Sequence, residues 1–151
     1  MKNQILLTET NFSRLKEEIK KNKSKTIIFS SSDDELNRKV LEKLPIHILL
    51  LSQTGRKDRF KQRDSGFNQV LAKAAKKKNA VIGINLDEII EAEGEKKKDI
   101  LARVKQNIKL CNKNKIKMNF IALREENKRD IYDLKSLGLI LGMPTWMTKN
   151  L

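Results

Sequence analysis

Five cations fall within residues 56–63: Arg56, Lys57, Arg59, Lys61 and Arg63. An arginine can grip a phosphate with two parallel hydrogen bonds, and a lysine attracts it as a point charge. The stretch that carries them, QTGRKDRFKQRDS at 53–65, is polar and contains one glycine. Its alternative reading is a solvated surface loop. Ser65 and Gly66 follow it directly. A serine there can cap a helix, and a glycine lets a phosphate approach the exposed N–H groups of the first turn. Plain capping explains the same pair. The glycine spacing and the terminal Gly-Lys-Ser/Thr of a nucleotide-binding loop are absent. Arg103 and Asn107 are four residues apart, so on a helix they share a face. At the rim of a buried stripe they could reach a loop or a polyanion; an ordinary polar helix face is the other reading. Lys76-Lys77-Lys78 and Lys96-Lys97-Lys98 read as solvated helix ends, and the first set suits a helix dipole.

Nothing else in the chain offers self-sufficient chemistry. His47 is the only histidine and lies in an apolar strand, which reads as structural. One histidine and one helical cysteine, Cys111, do not make a zinc site. Asp33, Asp34, Asp87 and Glu88 could bind magnesium, but all lie at helix starts, where capping and the dipole explain them. No nucleophile–base pair is recognisable. Trp146 fits either core packing or a partner contact.

The 151 residues point to a single domain spanning 1–151, able to bury a core without disulfides or metals. Lys and Arg number 33 against 19 acidic residues, a formal net charge of +14. A balance this basic calls for a polyanionic partner, and nucleic acid is the usual one. Aromatics at 5% are too few for a base-stacking platform, so phosphate contacts should outweigh stacking. No basic amphipathic anchor with bulky aromatics is visible, so no membrane partner is expected. The apolar run near the N-terminus is too short for a signal peptide, and Ile48 to Leu51 is too short to span a bilayer. With one cysteine, the chain reads as cytoplasmic.

These residues need elements to position them. Gln4 to Leu7, Thr26 to Phe29, Ile46 to Leu51, Ala80 to Ile84 and Met118 to Leu123 read as strands. Helical periodicity lies between them. Phe12, Leu15 and Ile19 form one face. Leu36, Val40 and Leu44 form the next, opened by a Ser32/Glu35 capping box and ended by Pro45. A third helix spans Gly66 to Lys78, with Phe67, Val70, Leu71 and Ala74 inward. A short one, Leu86 to Ala92, is capped by Asn85 and Glu88. EGEKKK at 93–98 reads as a solvated link before a long helix from Lys98 to about Asn112. The last helix carries Ile131, Leu134, Leu137 and Leu141 and stops at Gly142 and Pro144. Such alternation predicts a parallel α/β fold. A complete eight-stranded barrel needs upwards of about 200 residues. Five strands therefore suit a shortened or incomplete (β/α) TIM-type barrel, or an open sheet.

The order of these pieces resembles ribonuclease P protein component 3, the barrel-type protein subunit of archaeal and eukaryotic ribonuclease P. Arg63, Ser65, Gly66 and Asn68 match its Arg-x-Ser-Gly-x-Asn pattern. Val70 to Ile84 and then Asn85 match the helix, strand and polar strand end that follow. Arg103 and Asn107 match an Arg and Asn four apart on the next helix. Asp133, Leu134, Leu137, Gly138 and Gly142 match the final pattern. The similarity covers the second half to two-thirds of the chain. Departures are the absence of the family's N-terminal strand with its Asp and His, and Ala122-Leu123-Arg124-Glu125 in place of a serine-rich turn.

The resemblance implies a barrel of strands and helices that assists a catalytic RNA in removing the leader from precursor tRNA. It implies a partnership with ribonuclease P RNA and with a small α/β protein subunit, and only indirect contact with precursor tRNA. No cofactor is expected on the protein, and Mg2+ is expected to serve the RNA. The RNA-binding expectation rests on Arg56, Lys57, Arg59, Lys61, Arg63, Ser65, Gly66, Asn68, Arg103 and Asn107. A stand-alone phosphoesterase-like barrel enzyme and a basic scaffold for another ribonucleoprotein are the alternatives.

Overall fold

The computed structural model describes residues 3–151. Five parallel strands form one sheet in chain order: β1 (Gln4–Leu7), β2 (Thr26–Phe29), β3 (Ile48–Leu51), β4 (Val81–Asn85) and β5 (Met118–Ile121). Between them run α1 (Phe12–Lys21), α2 (Asp34–Lys43), α3 (Gln69–Lys78), and the pair α4 (Leu86–Glu91) and α5 (Gly94–Asn114). A 3-10 turn at Glu125–Asn127, α6 (Ile131–Ile140) and α7 (Thr145–Lys149) follow β5. Sequential parallel order is the wiring of a (β/α) barrel. Among the described residues β1 pairs only with β2 and β5 only with β4, so these five strands do not close a barrel. The sheet nevertheless curls, because Gln4 on β1 and Asn119 and Ile121 on β5 line one pocket of about 410 Å³.

Strand alternation divides the core. Ile27, Phe29, Leu49, Leu51, Ile82, Ile84 and Met118 meet Leu15, Ile19, Val40, Leu71, Val104 and Ile108 from the helices. Ile28, Ile48, Leu50 and Ile121 form a smaller cluster on the concave face. Gly83 lies among them; a Cβ there would stand 3.1–3.3 Å from Ile48, Leu50 and Ile121. A larger residue in β4 would push these side chains apart.

Several boundaries differ from the sequence expectation. Asp33, not Ser32, caps α2, accepting the N–H groups of Glu35 and Leu36. Asn68, not Ser65, caps α3, so that helix starts at Gln69 rather than Gly66. Val70 accordingly faces solvent, and Ala72 and Ala75 are buried in its stead. The link at 93–98 is the first turn of α5: glutamate and lysine favour helix, and their charge reported exposure rather than irregularity. β3 begins at Ile48, because His47 sits outside the strand and accepts the Ile27 N–H on Nδ1 at 2.9 Å. β4 runs one residue further, through Asn85, and β5 stops at Ile121. Ile131 is exposed at the start of α6, and Leu141 is its C-cap. The short α7 beyond Pro144 was not foreseen; its Trp146 donates to Asn112 Oδ1 at 2.8 Å and packs on the main core.

Candidate nucleic-acid interface

The basic loop between β3 and α3 lies at the carboxyl ends of the strands, where α/β proteins usually bind ligands. It is a pinned structure rather than a free coil. Arg59 and Gln62 exchange backbone hydrogen bonds of 2.8 and 3.2 Å, which places Phe60 and Lys61 at a two-residue tip. Asp58 accepts Arg103 Nε at 3.0 Å, the Asp64 N–H at 2.8 Å and Arg63 Nη1 at 3.4 Å. The Arg103 bond, followed by the Asp64 N–H, holds the Asp58 carboxyl below its ordinary value.

Two arginines of the expected set hold the loop from within. Arg103, 5% exposed, also donates to the carbonyls of Gln53 and Arg56. Arg56 pairs with both oxygens of Asp34 at 2.9 and 3.0 Å, reaches Asp64 at 3.3 Å and donates to the Ser52 carbonyl at 2.7 Å. Burial works against the Arg56 charge, but Asp34 and Asp64 outweigh it and raise its pKa. Gly66 makes this possible. Its φ of +71° suits glycine, and a Cβ would lie 2.3 Å from the Arg56 guanidinium. The place expected for a phosphate at Gly66 is thus taken by an arginine of the chain itself, and the Gly66 N–H donates to Asp64.

Ser65 is buried: its hydroxyl donates to the Phe67 carbonyl and accepts from Gln106 Nε2, and its own carbonyl accepts from Gln53 Nε2. Asn107 is 3% exposed, and its Oδ1 has no partner among the described residues. Asn68 is exposed but caps α3 through its Oδ1. Of the ten expected residues, Lys57, Arg59 and Lys61 are exposed and in no ion pair among the described residues; Arg63 is exposed with one long pair to Asp58. Arg56, Ser65, Gly66, Asn68 and Arg103 build the scaffold beneath them, and Asn107 is buried in α5 with no hydrogen bond to the loop among the described residues.

Sequence reasoning missed Phe60, 98% exposed between Arg59 and Lys61. The one available signal was an aromatic amid alternating cations. It also missed the clamp on α4. Glu88 accepts the N–H groups of Gln53 and Thr54, and Asp87 accepts those of Leu123 and Arg124 together with Asn127 Nδ2. Asn85 does cap α4, but Glu88 reaches across to the basic loop rather than back to its own helix. These carboxylates are hydrogen-bond acceptors for loop backbone. No group of three or more metal-ligating side chains occurs among the described residues. Burial pushes the Cys111 thiol up to about 12, which leaves it inert. No described helix is long and apolar enough to cross a membrane.

The chain is similar to ribonuclease P protein component 3 of Methanosarcina acetivorans, with 33% identity over 111 residues, 72% of this chain and 44% of that protein. It is 28% identical over 141 residues to the protein of the same name from Methanocaldococcus jannaschii, covering 90% of this chain and 58% of the other. The chain thus spans about half the length of these curated relatives. A chain in a cryo-EM structure of archaeal ribonuclease P with mature tRNA superimposes with a TM-score of 0.80 at 21% identity, over 97% of this chain and 62% of that one. That likeness shows a shared fold. The family model for RNase P subunit p30 matches residues 4–150. With a match from the first strand to the last helix, the chain belongs to the RNase P subunit p30 family.

Proposed function

We infer that this chain acts as a non-catalytic protein subunit of ribonuclease P in the cytoplasm. It binds and stabilises the RNA that removes the leader from precursor tRNA. The observation that carries this reading is the family match over residues 4–150. The geometry of the basic loop supports it. Lys57, Arg59, Lys61 and Arg63 face outward on a loop braced by Arg56 and Arg103, so the backbone that carries them is ordered before RNA arrives. Pre-ordering lowers the entropy lost on binding. Phe60 at the tip offers one face to an unpaired base. The RNA, a small α/β protein subunit and, through the RNA, precursor tRNA are the partners. Mg2+ serves the RNA and requires no ligand from this chain.

The role of Asp87 and Glu88 as acceptors for loop N–H groups favours this reading over a stand-alone hydrolase. The test is reconstitution. Purified chain should leave precursor tRNA intact. Added with its partner subunit to the cognate RNA, it should lower the magnesium needed for cleavage. Replacing Lys57, Arg59 and Lys61 with glutamine should weaken RNA binding and reduce the logarithmic salt slope by about 0.7–0.9 per lost phosphate contact. RNA-free turnover by verified pure protein would overturn the reading, as would a reconstituted enzyme indifferent to this chain.

A further inference from the structure

Lys76, Lys77 and Lys78, which read as a solvated helix end, are joined by lysines of three other helix ends once the chain folds, whereas Lys96, Lys97 and Lys98 lie at the start of α5. In a parallel sheet all strands begin at one end, and the preceding helices finish there. The junctions α1–β2, α2–β3, α3–β4 and α5–β5 therefore meet at the end opposite the basic loop. The first junction carries four lysines within residues 20–25, the second Lys43, the third Lys76, Lys77 and Lys78, and the fourth three within residues 113–117. All eleven are exposed, and segments 20–25, 43–47, 76–80 and 113–117 contain no acidic residue. The nearest carboxylates along the chain are Glu17 and Glu18, one turn inside α1, and Glu42, which pairs with Arg38 at 3.0 Å.

Compensation of helix dipoles is the plain explanation, and its magnitude falls short. A helix C-terminus carries about −0.5 charge, so four termini carry about −2. The lysines exceed that by about +9, a large part of the net +14 of the whole chain. The patch also has a firm support. The third junction turns through Asn79 at φ +54° and the fourth through Lys115 at φ +55°. Lys76 Nζ donates to the Lys115 carbonyl at 3.0 Å and ties the two together. Lysine rather than arginine throughout suits point-charge contact with a phosphate backbone, which carries no base information.

We propose that this lysine-coated end is a second RNA-binding face, separate from the basic loop, so that one molecule holds two segments of RNA backbone. The proposal rests on the ribonuclease P reading above. Helix α3 runs between the two ends, and its ten residues span about 15 Å. That exceeds the screening length of about 10 Å at 0.1 M salt, so the faces attract phosphates independently.

The experiment compares three forms of the chain on ribonuclease P RNA transcribed from the genome that encodes it. In the first variant Lys20, Lys21, Lys77, Lys78, Lys113 and Lys117 become glutamine; Lys76 and Lys115 are kept because they hold the junction. The second variant neutralises Lys57, Arg59 and Lys61. Affinity is measured across a salt series, with nuclease footprints of each complex. The lysine-end variant should bind roughly tenfold or more weakly at 0.1 M salt, with a shallower slope. It should lose one protected stretch of RNA, and the loop variant a different one. Wild-type slope and footprint in the lysine-end variant would overturn the proposal while leaving the ribonuclease P reading intact. So would loss of the same stretch by both variants, or equal weakening toward poly(U) with no change in footprint. Intact RNA binding together with lost binding to phosphatidylserine vesicles would assign this face to a membrane and refute it. Absence of RNA binding by the wild type would sink the underlying reading first.

Discussion

At the scale of single residues, Asp58 joins the site together. It faces two arginines and one backbone N–H, and these hold its carboxyl below the ordinary 3.8. A carboxyl depressed by folding adds stability that is complete above its unfolded pKa and disappears as pH falls through the folded one. The loop should therefore stay pinned at neutral pH and loosen only below 3.8. Asp58→Asn should remove this part of the acid dependence, and the Arg103 donor would lose a charged acceptor. An acid titration of urea stability in both proteins checks the point: the difference between them should shrink as the pH drops through that range. Gly66 acts at the same scale. Its φ of +71° strains any other residue, and a Cβ there would also displace the Arg56 guanidinium from Asp34 and Asp64.

At the scale of elements, α4 is short but carries the contacts that organise the loops at the carboxyl ends of the strands. Its first-turn carboxylates each reach a different loop: Glu88 the start of the basic loop after β3, and Asp87 the turn after β5. A six-residue helix has little stability of its own. Here it is fixed by Asn85 at its cap and by the loops it holds. Asp87 is buried, so its replacement by alanine would leave the Leu123 N–H and the Asn127 amide without an acceptor. The expected cost is about 2–3 kcal/mol. Urea unfolding of Asp87→Ala measures it, and a loss within about 0.5 kcal/mol, the size of ordinary surface substitutions, would show that these bonds are replaced by solvent.

At the scale of the whole molecule, the described sheet has two edges, and the lysines of four helix ends gather at one end of it. β1 and β5 each pair on one side only, although the curl brings residues of both to a single pocket. Unpaired edges open more readily than central strands. Amide exchange should be slowest in Ile48–Leu51 of β3 and faster in Gln4–Leu7 of β1. A partner that covers β1 should slow the latter by binding the folded state. Equal protection of both segments in a monomer would mean that the β1 edge is closed by other contacts.

The sequence by itself determined the parallel α/β class, the five strands and the basic charge, because apolar period and composition are local quantities. It also marked the stretch from Arg56 to Asn68 as a basic connection between β3 and α3, since turn residues and clustered cations are visible in order. It could not tell the outward cations from the inward ones. Arg56 and Lys57 are neighbours in the chain, yet one is bound by Asp34 and Asp64 and the other faces water. That choice depends on one carboxylate brought from α2, another at the far end of the loop and a glycine 10 residues away, contacts that exist only after folding. The lysines at the C-terminal ends of α1, α2, α3 and α5 show the same limit. Each alone is an ordinary helix end, and only the shared direction of the parallel strands gathers them on one face.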